Sequence, residues 1–410
     1  MIKKKTVFVG ISGGVDSAVS AALLKKQGYE VVGVFIRTWH PDFLECNEEE
    51  ERLDAMRVAA HLDIPFLTFD LADVYKKEVA DYMIAEYKAG RTPNPDVMCN
   101  KEVKFGAFLK KAIAMGADYV ATGHYAKTND TPFYFEQKFS KTKNSFSNGL
   151  AGVGDPGNRG PEKKKFLLRK NNDSTKDQSY FLWTLKQEQL SKILFPIGHL
   201  KKTEVRTLAK KFKLPVAEKK DSQGICFLGA VDLKDFLKHY IKEKKGKVLN
   251  EKGEEIGFHD GAVFHTLGER HGFTITKKSP NDGAYYIVDK DIKKNTLYVS
   301  QNKENICPEK DVRSATARVF RNFSAEKYLG PFQDKYFLIL ENTNWISEIP
   351  KAGKSYTAQI RYHSEFLPCG IVCGSPTSAR VIFEKPILVA SGQSCVLYDK
   401  DICLGGGIVV

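Results

Sequence analysis

Hydrophobic and polar positions follow two different periods in the first part of the chain. Residues 5–11 form a short β-rich run, and apolar side chains then recur at helical spacing from Val15 until Gly28. Two further β-rich runs, 30–36 and 65–69, flank a second helical stretch. This alternation predicts an α/β domain with a parallel sheet and helices on both faces. Ligands of such sheets bind beyond the carboxyl ends of the strands.

The pattern changes towards the C-terminus. Residues 137–165 are rich in Lys, Ser, Asn and Gly, which predicts a flexible insertion in a first domain that covers 1–215. Beyond it, short β-like segments alternate with turns. We therefore expect a small β-rich central domain over 216–305 and a C-terminal β-barrel domain over 306–410, for which a β-sandwich is the alternative.

Composition narrows the class of protein. The 410 residues are 42% hydrophobic and 28% charged, as in ordinary globular proteins. No apolar stretch approaches the roughly 20 residues that a membrane helix needs, and the N-terminus lacks the features of a signal peptide. We therefore expect a cytoplasmic protein without a membrane partner. The net charge of +13 makes RNA or DNA a candidate partner, although the basic stretches 201–220 and 234–252 also fit solvated helix faces.

The segment Ser12-Gly13-Gly14-Val15-Asp16-Ser17 lies directly between the first predicted strand and helix. Two glycines allow a tight turn whose backbone N–H groups, together with the helix start, can cradle a phosphate. The two serines can add hydroxyl donors, and Asp16 can hold Mg²⁺ or position the loop. The segment lacks the Gly-Lys-Ser/Thr ending of an ordinary P-loop, which argues against γ-phosphate transfer. The alternative is a glycine-rich connection that binds nothing.

Eight cysteines are scattered along the chain, without the pattern of a secreted disulfide framework or a zinc site. A single cysteine is most often a small buried apolar residue. Cys99 and Cys226, however, each follow a loop that suits a reactive group, and Pro93 and Pro95 stiffen the first of these loops. Asp96, three residues before Cys99, is a candidate general acid or base.

Several charged and polar residues lie near these positions. Reactive thiols need a lowered pKa, and nearby lysines could lower it, namely Lys101 and Lys104 beside Cys99 and Lys219 and Lys220 beside Cys226. His124 follows a predicted strand in a Thr-Gly-His-Tyr setting, which favours a role in the site over a purely structural one.

Ser12 to Ser17 resembles the pyrophosphate-binding loop (PP-loop) of the N-type ATP pyrophosphatases, which cleave ATP between the α and β phosphates. Two further blocks, 90–100 and 221–227, together with 121–126 and 176–181, resemble the tRNA-specific 2-thiouridylase family. The resemblance runs from about Val7 to the C-terminus and is interrupted mainly by the 137–165 insertion. It implies a Rossmann-like first domain.

The resemblance also implies a reaction. ATP, with Mg²⁺, would adenylate O2 of the wobble uridine of a tRNA, and sulfur would then replace the activated oxygen with release of AMP and pyrophosphate. Cys226 would carry a persulfide received from a sulfur-donor protein. Cys99 would be the partner nucleophile, which either liberates hydrosulfide or resolves the persulfide as a disulfide with Cys226. The implied substrates are tRNAs for Lys, Glu and Gln, recognised at the anticodon.

Site residues follow from the same resemblance. ATP would bind against Gly10, Ile11, Ser12, Gly13, Gly14, Val15, Asp16 and Ser17, with Ile36 and Gly123 near the adenosine. The target base would contact Asn94, Pro95 and Asp96, and the rest of the tRNA would contact His124, Lys176, Asp177, Gln178, Arg361, Tyr362 and Gln393. No metal-ligating side chains are predicted, because the spacings of Cys369, Cys373, Cys395 and Cys403 lack the paired frame of a zinc site. The chain departs from the family at Gly268-Glu269-Arg270, where Gly-Gln-Arg is usual.

Two alternatives remain open on the sequence. Another adenylating pyrophosphatase, such as a small-molecule ligase or amidotransferase, would share the PP-loop but would not need both Cys99 and Cys226. A catalytically silent RNA-binding protein could retain an old nucleotide fold, although the intact loop and both cysteines argue against such decay.

Overall fold

A computed structural model describes residues 4–44, 47–129, 165–221, 226, 232–277, 282–302 and 336–410. Its elements fall into a parallel α/β sheet and two further β-sheets. The predicted insertion lies outside the described residues except for Lys165, and so does the predicted boundary at 305/306. The three domain ranges therefore stay predictions. No helix among the described residues is long and apolar enough to cross a membrane.

The first region contains strands β1 (Thr6–Gly10), β2 (Glu30–Arg37), β3 (Phe66–Asp70), β4 (Tyr119–Ala121), β5 (Ala126–Thr128), β6 (Leu168–Lys170) and β7 (Ile193–Leu194). Its helices are α1 (Val15–Lys26), α2 (Glu48–His61), α3 (Ala72–Tyr75), α4 (Tyr82–Lys88), α5 (Pro95–Met98), α6 (Leu109–Ala114), α7 (Gln187–Leu190) and α8 (Lys202–Lys211). The π-helical segments Lys76–Asp81 and Cys99–Phe108 join α3 to α4 and α5 to α6, and a 3₁₀ turn spans Ser179–Leu182.

Five of these strands form a parallel sheet in the order β3-β2-β1-β4-β7, which confirms the predicted α/β fold. Alternate residues of β1 enter different cores, because Val7 and Val9 pack in one apolar cluster and Phe8 in the other. The chain passes from β1 to β2 and β3 on one side and returns to β4 on the other. This reversal of strand order beside β1 creates a crevice at the carboxyl ends of β1 and β4.

The central region contains α9 (Leu233–Lys238) and the strands β8 (Gly246–Leu249), β9 (Glu255–His259), β10 (Thr274–Ile275), β11 (Tyr286–Asp291) and β12 (Thr296–Ser300). A 3₁₀ turn covers Ala262–Phe264. The strands form a sheet in the order β10-β9-β8-β12-β11. Its small core includes Val248, Ile287 and Leu297, so the central region is β-rich as predicted.

The C-terminal strands are β13 (Tyr336–Trp345), β14 (Tyr356–Gln359), β15 (Leu367–Ser375), β16 (Ser378–Phe383), β17 (Ser394–Asp399) and β18 (Ile402–Val409). They follow the order β13-β16-β15-β14-β17-β18, and β18 pairs with β13, which closes the predicted barrel. The β5–β6 hairpin of the first region continues this sheet, because β6 pairs with β18. The barrel is therefore joined to the α/β region through backbone hydrogen bonds.

Candidate active site

The predicted phosphate loop connects β1 to α1 at the crevice. Gly13 has a φ of +72°, and a Cβ added there would lie 2.6 Å from the carbonyl oxygen of Glu51, so the conformation and the space both require glycine. Gly14 precedes α1, and no described side chain caps the first turn of this 12-residue helix. The helix N-terminus therefore offers backbone N–H donors to an anion.

The two predicted serines close this loop on itself. The Ser17 Oγ accepts a 3.3 Å hydrogen bond from the Ser12 amide, lies 3.4 Å from the Ser12 Oγ, and donates to the Gly14 carbonyl at 3.2 Å. Gly123, just after β4, packs on the same turn, because a Cβ there would lie 2.7 Å from the Ser17 nitrogen. Ile36 is buried near the end of β2. These residues surround the crevice, and their contacts with adenosine stay predictions.

A chain of opposite charges extends from the loop to Asp221 and Lys176. The Asp16 carboxylate accepts hydrogen bonds from Tyr125 Oη at 2.7 Å and from Lys202 Nζ at 2.8 and 2.9 Å. Lys202 Nζ also lies 2.8 Å from Asp221 Oδ1, and Lys176 Nζ lies 3.2 Å from Asp221 Oδ2. Partial burial would raise the pKa of Asp221, but Lys202 and Lys176 outweigh it and lower this pKa to about 2.

Cys99 and Cys226 are 127 residues apart in the sequence, and their sulfur atoms lie 3.6 Å apart. Both are free thiols, because a disulfide needs sulfur atoms about 2.05 Å apart. The Cys226 backbone is held from two sides: its amide donates to Asp96 Oδ1 at 3.0 Å, and its carbonyl accepts from Tyr75 Oη at 2.7 Å. The fold therefore brings the two predicted thiols together, with the predicted acid or base at the same place.

The segment before Cys99 has a defined local structure. Asn94 caps α5, because its Oδ1 accepts from the Val97 amide at 3.2 Å, and Pro95 occupies the first turn of that helix. Cys99 begins the π-helical segment that follows, and it is fully buried. The cap and the proline thus set the direction in which Asp96 and Cys99 enter the site.

The two thiols have different acidities. The Cys99 thiol donates to Cys226, and this hydrogen bond, with Lys104 as a further cause, lowers the pKa of Cys226 to about 7 against the effect of burial. Burial and the same hydrogen bond raise the pKa of Cys99 well above its usual value. Burial also raises the pKa of Asp96. Of the two thiols, Cys226 is therefore the more acidic, and Cys99 is the weaker acid.

The predicted cations divide into two groups. Lys104 is half-buried beside the thiols, and its pKa is raised by them although burial opposes this. Lys101 instead lies 2.8 Å from Glu102, and Lys219 lies 2.7 Å from Asp54. Of these three lysines, Lys104 supplies the positive charge at the sulfur atoms.

His124 is placed behind the thiol site. Its side chain is buried, with Nδ1 2.8 Å from Thr122 Oγ1 and its ring packed near Phe105 and Phe195. Burial and the charge of Lys104 lower the pKa of His124 well below its usual value. The structure thus shows a buried imidazole whose surroundings favour the neutral form, and the contact of His124 with tRNA stays a prediction.

The segment 176–178 is engaged in internal contacts. Lys176 pairs with Asp221, as described above. Asp177 is buried and accepts from the Asn171 amide at 2.9 Å and from Ser179 Oγ at 2.8 Å. Gln178 Oε1 accepts from the Tyr125 amide at 2.9 Å. Asp177 and Gln178 therefore hold the loop together, and their contacts with RNA stay predictions.

The three predicted barrel residues lie where the barrel meets its neighbours. Arg361 Nη2 donates to the Leu267 carbonyl at 2.5 Å, and Tyr362 packs on Phe181 with ring centroids 4.4 Å apart. A cavity of about 500 Å³ opens between the barrel and the central region, lined by Thr266, Leu267, Gly268, Glu269, Arg270, His271, Tyr286, Arg361 and Gln393. Two predicted RNA contacts therefore share a cavity with the unusual Glu269.

The Glu269 carboxylate has one imidazole partner and one cationic partner. Its Oε2 lies 3.2 Å from His265 Nδ1 and 3.7 Å from Lys234 Nζ. Burial would raise the pKa of Glu269, but these two groups outweigh it and lower this pKa. The departure from the usual glutamine is thus accommodated locally by the contact with His265 and by the charge of Lys234.

Sequence reasoning missed several residues of this site. Lys202 belongs to the basic stretch 201–220, for which the sequence suggested RNA binding or a solvated helix face. The charge pattern alone does not show that Lys202 contacts Asp16 and Asp221 in the crevice. Tyr75 has no motif around it, whereas Tyr125 stands inside the block 121–126 and could have been singled out there.

Comparison with known proteins covers almost the whole chain. Family models match residues 5–230 ("tRNA methyl transferase HUP domain"), 234–301 ("tRNA methyl transferase PRC-barrel domain") and 335–409 ("Aminomethyltransferase beta-barrel domain"). The chain is 38% identical over 411 residues to the tRNA-specific 2-thiouridylase MnmA of Methylobacillus flagellatus, covering 99% of each chain. It is 39% identical to the protein of the same name from Idiomarina loihiensis, covering 99% of this chain and 96% of that one.

Similarity to solved structures is weaker. The U34-tRNA thiolase NcsA from Methanococcus maripaludis is 15% identical, with a TM-score of 0.32 over 59% of this chain and 68% of that one. A 4-thiouridine synthetase in complex with RNA and ATP is 17% identical, with a TM-score of 0.31 over 55% of this chain and 46% of that one. These values are too low to carry an argument.

Proposed function

The chain belongs to the tRNA-specific 2-thiouridylase family, a family of tRNA sulfurtransferases, and on that premise we propose that it uses ATP to replace O2 of the wobble uridine by sulfur. The observation that carries the proposal is the 3.6 Å separation of the Cys99 and Cys226 sulfur atoms. Thiols from loops so distant in the sequence meet only because the fold brings them together. An adenylating enzyme that transfers no sulfur has no use for this pair.

The first half-reaction, adenylation of the uridine, takes place in the crevice at the carboxyl ends of β1 and β4. ATP places its β and γ phosphates at the N–H groups of the PP-loop, and O2 of the uridine attacks the α phosphorus and displaces pyrophosphate. Lys202 lies beside Asp16 and adds positive charge where the leaving group accumulates negative charge. The base then carries AMP at O2, a far better leaving group than the original carbonyl oxygen.

Mg²⁺ fits this site as a companion of the nucleotide. Among the residues that the structure describes, no three His, Cys, Asp or Glu side chains converge to hold a metal. Asp16 is a single carboxylate at the phosphate loop, which suits a Mg²⁺ ion that takes most of its ligands from phosphate and water. Bound there, the ion would neutralise charge on the phosphates.

The second half-reaction uses the two thiols. The low pKa makes Cys226 the nucleophile that receives a sulfane sulfur from a donor protein, which leaves a persulfide on Cys226. On one route, Cys99 attacks the inner sulfur, forms a disulfide with Cys226 and releases hydrosulfide, which displaces AMP from C2. On the other route, the persulfide displaces AMP directly, and Cys99 then cleaves the mixed disulfide. Both routes end in a Cys99–Cys226 disulfide that an external reductant must reduce.

The tRNA would bind across the crevice and the accessory domains. Flipping the wobble base out of the anticodon stack would bring it to the segment 94–96, whose Asp96 already touches the Cys226 amide. The cavity lined by Arg361 would contact the RNA backbone or neighbouring bases. The proposal also includes tRNAs for Lys, Glu and Gln as the substrates and the cytoplasm as the location of the protein.

The test supplies purified protein with tRNA, ATP, Mg²⁺ and a cysteine desulfurase charged with cysteine, and measures pyrophosphate by a coupled assay, AMP by chromatography and 2-thiouridine by mass spectrometry. We expect C226S to release pyrophosphate, the product of the first half-reaction, but to form no 2-thiouridine, and D16A to form neither product. C373S, which changes a half-buried barrel thiol, is the matched control and should behave as the parent. Unchanged 2-thiouridine yield in C226S would contradict the proposal.

Methyl transfer, which the family-model descriptions mention, is the rival activity. A methyltransferase needs neither a pyrophosphate cradle nor a thiol pair, so the geometry favours sulfur transfer. The same mass spectra separate the two, because replacing oxygen by sulfur and adding a methyl group change the nucleoside mass differently. A silent RNA-binding protein would give no tRNA-stimulated AMP at all.

A further inference from the structure

Thr92 lies at a junction between the α/β region, the central region and the barrel. It is buried, and its amide donates to the Ser391 carbonyl at 2.8 Å while its carbonyl accepts from Gln393 Nε2 at 2.9 Å. Its Oγ1 lies 3.1 Å from the hydroxyl of Thr266 in the central region. We call these contacts, together with Gly392, the Thr92 clasp.

The packing around the clasp is too tight for added atoms. Gly392 has a φ of +93°, and a Cβ there would lie 2.9 Å from both the nitrogen and the oxygen of Thr92. On the other side, Gly90 has a φ of +80°, and a Cβ there would collide with the side chain of Ile292. The segment 90–93 is therefore held between the barrel and the central region.

The clasp lies immediately upstream of the thiol site. Thr92 is followed by Pro93, then by the helix cap Asn94, and then by Asp96, whose Oδ1 accepts from the Cys226 amide. Prolines at 93 and 95 restrict the backbone on both sides of Asn94. A displacement of Thr92 is therefore transmitted along a restricted backbone to Asp96 and Cys99.

We propose that the Thr92 clasp is a positioning element of the sulfur-transfer site, through which the barrel sets the placement of Asp96 and Cys99. Gln393 is its principal side chain: its carboxamide nitrogen is committed to the Thr92 carbonyl, so it acts on catalysis through the active-site backbone and does not serve only as an RNA contact. This inference rests on the proposed function of the thiol pair.

Two measurements distinguish a positioning role from an RNA contact. Q393L keeps the size of the side chain but removes the donor, which leaves a buried carbonyl without its partner. Since misplacement of a reacting group by about 1 Å can cost roughly 100-fold in rate, we expect kcat for 2-thiouridine formation to fall about 10- to 100-fold, with KM for tRNA changed less than about threefold. An RNA contact would instead raise KM.

The second measurement needs no tRNA. The rate at which Cys226 reacts with iodoacetamide, followed by mass spectrometry across pH, reports the placement of Cys99 and Asp96 beside it. We expect the pH of the inflection in this profile to shift in Q393L in the absence of tRNA. R270Q is the control, because it changes a cavity residue outside the clasp. It should leave the inflection at the pH of the parent and raise KM for tRNA. A Q393L profile identical to that of the parent, with only KM raised, would overturn the inference.

Two further variants guard against ambiguous outcomes. T92S keeps the backbone bonds and the hydroxyl and should match the parent in both measurements, whereas G392A forces a methyl group against Thr92 and should reproduce Q393L. Circular dichroism and melting temperature identify any variant that fails to fold. If the parent formed no 2-thiouridine, the proposed function would fail, but the thiol profile would still decide whether the clasp positions the site.

Discussion

Removing the Cys99 thiol is expected to make Cys226 a weaker acid. The hydrogen bond from Cys99 is the largest cause of the low pKa of Cys226, and Lys104 is a smaller one. In C99A the donor is lost while Lys104 and the burial of the site remain. The pKa of Cys226 should therefore rise from about 7 towards the ordinary value of 9.0. C99S keeps an O–H donor at the same position and is the matched control.

The size of the effect follows from the thiolate population. With a pKa of about 7, about half of Cys226 is thiolate at pH 7, and a pKa of 9.0 would leave about 1%, a roughly 50-fold difference. The more basic thiolate is intrinsically more nucleophilic, by roughly 6- to 10-fold for two units. A complete return to 9.0 thus slows alkylation at pH 7 by roughly 5- to 8-fold, and a one-unit rise slows it by roughly twofold.

The assay is alkylation of Cys226 by iodoacetamide between pH 5.5 and 10, read from the peptide that carries this residue. The parent and C99S should show inflections near pH 7, and C99A should show one displaced upward by at least about one unit. The rates should cross at high pH, where C99A exposes the more basic thiolate. An inflection in C99A at the parent's pH would refute the assignment of Cys99 as the donor.

Two other changes test the nucleotide crevice. K202M removes the cation that bridges Asp16 and Asp221, and we expect tRNA-dependent AMP formation to fall at least about 10-fold because charge on the leaving pyrophosphate loses a partner. Parent-like AMP formation would contradict this role. G123A adds a Cβ 2.7 Å from the Ser17 nitrogen, so we expect KM for ATP to rise about 10-fold in steady-state assays; an unchanged KM would show that the loop yields without loss of binding.

Sequence patterns predicted the parts of this fold that depend on local order. The strand, turn and helix around residues 5–28 follow from periodicity, and the loop between them needs glycine for reasons visible in the backbone, as at Gly13. The helical stretch 72–88 also has a local pattern, because Tyr75, Val79 and Met83 recur at intervals of four and are buried on one face.

Other features depend on contacts between distant segments. No spacing rule joins Cys99 to Cys226, and only the resemblance to a known family paired them before the structure placed their sulfur atoms together. The ring of His124 packs near Phe105 and Phe195, which lie outside the Thr-Gly-His-Tyr motif. The motif therefore could not predict that His124 is buried in an aromatic cluster. Charge patterns likewise gave no indication that Lys202 would bridge two carboxylates.

The segment that carries Cys99 shows why a motif can be recognised while its geometry cannot. Helix α5 has four residues, far fewer than the roughly 12 to 15 that an isolated helix needs to be even marginally stable. Its conformation must therefore come from the Asn94 cap, from packing of Val97 and Cys99 in the core, and from the contacts of Thr92 with two other regions. Because those contacts arise from residues more than 170 positions away, the barrel and the central region complete a site whose reactive atoms belong to the α/β region.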